Sequence, residues 1–235
     1  YIVTIIALIK YTPIEKMKIY LRNNNISKKM KKNIINYSLI ALINNSIISL
    51  IHMIDIFSIG YLLGNKSTIA AYKTANIIPF GLEFIPAAMM IYIYPFFVKN
   101  NEDYLWIKKN YIKILKIFMS LNIFIVLSAN FFAKAIIFII FGREYSDSIP
   151  IFKILCVGYF FTGSFRVLGA NVLFALGKPK FNVYSSLVAG ITNIILNIFL
   201  IEKYGSIGAA YSTLLIFIIW GILVNFFIYK TLRYK

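Results

Sequence analysis

The chain has 235 residues, of which 60% are hydrophobic and only 14% charged, with a net charge of +17. A soluble domain is about a quarter charged, so this composition excludes a globular soluble protein and describes a polytopic membrane protein with a mean hydropathy of +0.78. The positive charge would raise nucleic acid as a partner for a soluble chain. Here it fits lysines that flank membrane spans, and no nucleic-acid partner is expected.

Residues 1–9, "YIVTIIALI", open on an apolar run with no basic stretch before it, unlike a signal peptide. They read as the end of a helix whose start is missing, so the chain is expected to be a fragment. Residues 10–33 are basic and read as a cytoplasmic linker. An apolar run of about 20 residues crosses a membrane. Six such spans are expected in residues 34–235, over 34–63, 67–98, 111–132, 149–176, 182–201 and 207–229. The second is long and carries Pro79, Pro86 and Pro95. The run 135–141, "AIIFIIF", is too short to span and is placed at an interface or as an extension of the third helix.

The connections are short and their charge alternates by side. One side holds the 10–32 stretch, Lys99, Lys108, Lys109, the turn with Lys178 and Lys180, and the tail with Lys230, Arg233 and Lys235. The other loops hold Lys66, Arg143 and Lys203, with Lys134 and Lys153 nearby. The positive-inside rule places the 10–32 stretch and the C-terminus in the cytoplasm. Coding bias would load both sides alike.

Polar residues interrupt the spans in stripes. In the first, Asn45, Ser49 and His52 fall in a narrow arc at helical spacing, and Asp55 extends it. In the second, Tyr72, Asn76 and Glu83 share a face beside Lys73. Polar groups at membrane depth face a bundle interior or a wet cavity, so these stripes are expected to line something. Asp55 and Lys73 lie at similar distances from the turn at Gly64 and are expected to pair. Glu83 and Arg166 stand at matching depths in their spans and are a second candidate pair. Each is read either as an ion pair that fixes packing or as a proton, cation or anion site. His52, the single histidine, reads better as a hydrogen-bonded bundle residue than as a proton relay. The single cysteine, Cys156, excludes an internal disulfide. This inventory assigns no metal ligand and no catalytic residue.

Three stretches carry a family pattern. "IDIFSIGYLLGNKSTIAAYKTANIIPFGLEFIPAAMMIYIYPFF" has an Asp, a short turn, Tyr-x-x-Ala and a late Pro. "AIIFIIFGREYSDSIPIFKIL" has Phe-Gly and Tyr before a new helix. "ALGKPKFNVYSSLVAGITNIILNIFLIEKYGSIGAAYST" has a Gly-Lys turn, Asn193 and Asn197, then Tyr-Gly and Gly-Ala-Ala. Together they resemble the C-terminal half of polysaccharide-biosynthesis oligosaccharide flippases, in the superfamily of multidrug/toxin extruders and lipid II flippases. The resemblance implies an all-α fold: a six-helix transmembrane bundle forming one lobe of two around a central cavity, in a prokaryotic cytoplasmic membrane. It implies alternating-access export of a polyprenyl-diphosphate-linked oligosaccharide, not an enzyme. The expected partners are membrane lipid, the lipid-linked oligosaccharide and polysaccharide-assembly proteins. No cofactor is expected beyond proton or sodium coupling, for which Asp55 and Glu83 are the candidates. Asn45, Ser49, His52, Tyr72, Lys73, Asn76 and Arg166 are the candidates for the substrate cavity, with Arg166 or Lys73 suited by charge to a diphosphate. The rivals are a cation antiporter or lipid II flippase of the same fold, and, from another class, a membrane glycan polymerase or ligase. The last would need polar catalytic loops, and the outer loops here are short.

Overall fold

A computed structural model describes residues 27–233. The expected helix end at 1–9 and most of the basic linker lie outside these residues. The chain divides into two compact units, Tyr1–Leu39 and Ile40–Lys235. Of the first, residues 27–39 are described, and they are the opening of helix α1, Lys28–Leu63. Ser27 starts it, its side chain accepting from the Met30 N–H at 3.2 Å.

Six helical stretches among the described residues are long and apolar enough to cross a membrane. After α1 come α2, Lys66–Leu82, and α3, Phe84–Lys99, which together make one span broken at Glu83. Then follow α4, Tyr104–Phe131, and the short α5, Ala133–Ile140. The next span is α6, Ser148–Phe161, a π-helical turn over Thr162–Arg166, and α7, Val167–Ala175. Helices α8, Pro179–Tyr204, and α9, Ser206–Arg233, close the bundle. Gly64, Gly177 and Gly205 make the tight turns, with φ of 62°, 68° and 62°.

The helices run past their apolar cores. Lys28, Lys29, Lys31 and Lys32, expected in the linker, already lie in α1, and Lys108 and Lys109 lie in α4. Lysine is a good helix former. Hydropathy marks the stretch in hydrocarbon, and the helix continues into the headgroup layer. Asp103 caps α4, its carboxylate accepting from the Trp106 N–H at 2.8 Å.

Within the second unit the interior is layered. One apolar cluster holds Met90, Phe118, Leu168 and Val224, and another holds Ile59, Phe152, Leu155 and Ala210. Along every span a polar side chain stands between them: Asp55, Glu83, Asn122, Arg166, Asn193 with Asn197, and Thr213. In lipid such groups must find partners inside the protein, so this belt fixes which helix faces meet.

Helices α8 and α9 cross closely at Gly208. A Cβ there would sit inside van der Waals contact of the Leu200 carbonyl oxygen and 2.9 Å from the Ile201 nitrogen. Gly208→Ala should therefore cost about 1–3 kcal/mol through overpacking. Gly81→Ala, whose methyl meets nothing within 4 Å, should be neutral or stabilising by about 0.5–1 kcal/mol. Thermal unfolding of the two variants in detergent checks the contrast.

Candidate functional site

The belt contains two constellations. The first centres on Asp55, which is 5% exposed. Its carboxylate accepts from the Tyr72 hydroxyl at 2.6 Å, from Asn193 at 3.1 Å and Asn197 at 2.9 Å, and from the Thr213 hydroxyl. Tyr72 comes from α2, Asn193 and Asn197 from α8, and Thr213 from α9, so one carboxylate ties four helices together. Asn193 and Asn197 share a face because they are one turn apart.

All of these donors are neutral. The expected Asp55–Lys73 pair does not form: Lys73 is exposed and Tyr72, one residue earlier, turns inward in its place. Matching depth brought the right turn of α2 to Asp55, and the helix face chose the hydroxyl over the cation. The side-chain oxygens of Asn193 and Asn197 are buried without a hydrogen-bond partner. The carboxylate and the two hydroxyls supply hard oxygen atoms, and the Asn193 and Asn197 oxygens would join them only if those amides turned over, since their NH₂ groups face Asp55. Such a set suits a proton or a hard monovalent cation. Among the described residues no group of three or more His, Cys, Asp or Glu is placed to hold a metal ion.

The second constellation joins Glu83 and Arg166, as their matching depths anticipate, with the Arg166 guanidinium donating to Glu83 at 2.7 Å. Both ends sit on irregular backbone. Glu83 occupies the break between α2 and α3, where Pro86 lacks the N–H that would bond Leu82 and falls in the first turn of α3, which tolerates it. Arg166 ends the π turn, in which the Val167 N–H reaches back to the Thr162 carbonyl. Single π turns inside α-helices recur at functional sites. Thr162 bridges the pair, donating to Glu83 at 3.0 Å and accepting from Arg166 at 2.5 Å. The guanidinium also lies 4.9 Å from the Trp220 ring. Ser164, in the same turn, accepts from Asn122 at 3.0 Å, and Asn122 accepts from Tyr159 at 2.8 Å.

A cleft of about 510 Å³ opens over this pair. Asn44 and Asn45 of α1, Glu83 and Phe84 at the helix break, and Arg166 and Asn171 of the π turn and α7 line it. A smaller pocket beside it shares Phe80 and Glu83 and adds His52, Asn76, Tyr159 and Thr162. His52 packs edge-on to Phe80, with ring centres 4.6 Å apart.

The candidate residues therefore separate. Asn45 and Arg166 line the cleft, and His52 and Asn76 line the smaller pocket. Ser49 donates back to the Asn45 carbonyl of its own helix at 3.0 Å. Tyr72 is fully buried on Asp55. Lys73 lines neither pocket. Sequence reasoning missed Asn44, Thr162 and Thr213. Asn44 is buried and accepts from Ser186 at 3.3 Å. It stands next to Asn45 in an unbroken helix, so only the α8 contact tells the two amides apart.

A sequence model of the family described as polysaccharide biosynthesis protein matches residues 5–150. The chain belongs to this family. Among relatives of this family member, an uncharacterized membrane protein of Methanocaldococcus jannaschii is 28% identical, covering 89% of this chain and 41% of its own length. A Shigella flexneri protein named "Putative O-antigen transporter" is 26% identical, covering 72% of this chain and 40% of its own. The chain thus spans about two fifths of the length of these relatives. A multidrug resistance MATE family transporter of the MOP superfamily, solved in an outward-facing conformation, superposes with a TM-score of 0.75 at 18% identity, over 86% of this chain and 45% of the transporter. A MOP superfamily transporter of Pyrococcus furiosus gives 0.74 at 18% identity, over 86% and 46%. The polysaccharide biosynthesis chain has the fold of a MOP transporter.

Proposed function

We propose that this chain is the C-terminal lobe of a flippase that carries a polyprenyl-diphosphate-linked oligosaccharide to the outer leaflet of a prokaryotic cytoplasmic membrane. The observation that carries the reading is the cleft over Glu83 and Arg166, a wall on which this pair and Asn44, Asn45 and Asn171 stand among apolar side chains in a six-span bundle. Sugars and a diphosphate need such a wall, because hydrocarbon offers them no hydrogen bonds, while the polyprenyl tail stays in lipid. The family match, the transporter fold and the "O-antigen" in a relative's name support it. The basic residues at the Lys10 and C-terminal side support a cytoplasmic position for that side.

In this reading Arg166 meets the anionic carrier and Glu83 holds the guanidinium until it arrives. The helix break and the π turn let the two walls bend relative to the rest of their spans, as alternating access against a second lobe requires. Asp55 takes the coupling proton or sodium ion, the latter with the Asn193 and Asn197 amides turned over to present their oxygens. Neutralising that carboxylate loosens its hold on Tyr72, Thr213 and the α8 amides.

The test is the full-length protein in proteoliposomes with a fluorescent lipid-linked oligosaccharide, scored by lectin access from outside. Gradient-dependent movement of the glycan is expected. Movement of an organic cation with none of the glycan would assign the protein to the antiporter branch instead.

A further inference from the structure

Away from the cleft, a second concavity runs along α9 against the π turn. It is a groove of about 520 Å³ whose walls include Phe161, Phe165, Ile218, Ile222 and Phe226. Gly221 forms its floor: a Cβ there would stand 3.1 Å from the Phe165 Cβ, so the glycine lets α9 approach the turn while leaving the groove open. At Asn225 and Tyr229 the groove runs into another pocket, of about 320 Å³, which Lys108 and Arg233 line. Both basic side chains are exposed. They stand at the ends of their helices, Lys108 in the second turn of α4 and Arg233 at the close of α9. Asn225, at the junction, accepts from Tyr111 at 2.5 Å and donates to the Gly221 carbonyl at 2.7 Å, so its amide is engaged within the protein.

We propose that the groove and basic pocket together bind one anionic glycerophospholipid, with its phosphate between Lys108 and Arg233 and an acyl chain along α9. Charge and length fix the occupant. Two cations at a helix-end level and an apolar channel leading inward from them match the two ends of an anionic lipid. From Tyr229 to Ile218 is 11 residues of helix, or about 17 Å. That is close to half of a hydrocarbon core of about 30 Å, the reach of one acyl chain in one leaflet. A polyprenyl carrier would overrun it. Because Phe161 precedes the π turn that carries Arg166 and Phe165 lies within it, a lipid seated here packs against that turn.

The experiment is native mass spectrometry of the full-length protein in detergent, titrated with phosphatidylglycerol and with phosphatidylcholine of the same chains. Phosphatidylglycerol should bind more tightly, and Lys108→Gln with Arg233→Gln should weaken it by roughly one to two orders of magnitude. That variant should weaken phosphatidylcholine binding much less, because choline already offsets that lipid's phosphate charge. Ile218→Trp, which fills the groove, should weaken both lipids. Inorganic phosphate should not compete. Equal binding of the two lipids, indifference to the Lys108/Arg233 change, displacement by inorganic phosphate, or preferential displacement by polyprenyl diphosphate would each overturn the assignment. The two exposed basic residues are not needed for packing, and the Trp variant gives an independent reading.

Discussion

Asp55→Leu is expected to destabilise the protein by about 4 kcal/mol, whereas Asp55→Asn should leave it folded and uncoupled. Leucine strands two hydroxyls and two amides that now donate to the carboxylate. A buried donor without its acceptor costs about 1–3 kcal/mol, so even the lower figure for each reaches about a quarter or more of a typical domain's stability. Asparagine keeps the shape. Its oxygen can still accept from Tyr72 and Thr213, and its NH₂ can donate to Asn193 or Asn197 once either amide turns over to present its unpartnered oxygen. What asparagine cannot do is change charge. Thermal unfolding should therefore separate the two variants, while transport driven by a proton or sodium gradient should fall to background in both. An Asp55→Asn protein that still follows the gradient would make Asp55 a packing residue only.

The contrast shows how far the sequence reaches. The six spans could be read from apolar runs, and the short apolar run after the third span from its length. The Glu83–Arg166 pair was half legible: each residue lies a similar number of helical rises from a known turn, which made them candidates, but only the fold shows that their helices touch. Depth also brought Asp55 level with the right turn of α2, yet it gave the wrong partner. Opposite charge suggested Lys73, while the bundle selected Tyr72, whose fully buried ring packs among Ile59, Leu155 and Ala210. Asn193 and Asn197 were visible as one polar face of a helix, but the helix they serve is settled by the close α8–α9 crossing at Gly208 and the packing of Ile51 on Gly190. The π turn left no signal at all. "TGSFR" reads as an ordinary helical stretch, and its extra residue is accommodated by contacts with α4 and α9 that only the fold supplies.

The pair at that turn gives the second large effect. Glu83→Gln or Arg166→Gln alone should cost about 3 kcal/mol, because each leaves a charge at membrane depth with its partner gone. The side chains are 17% and 9% exposed, so water offers little relief. The double variant should recover most of that loss, since two amides can hydrogen-bond to each other and to Thr162 without an unpaired charge. Stability measured across this cycle should thus be strongly non-additive. Transport should not be. If Arg166 meets an anionic carrier and Glu83 restrains it, the double variant regains its melting temperature and stays inactive. A restored transport rate would reduce the pair to a bolt between the α2–α3 break and the π turn. The cleft is what makes the transport role open to test: one side of this pair faces about 510 Å³ whose lining includes Asn44, Asn45 and Asn171, where an anionic carrier could reach Arg166.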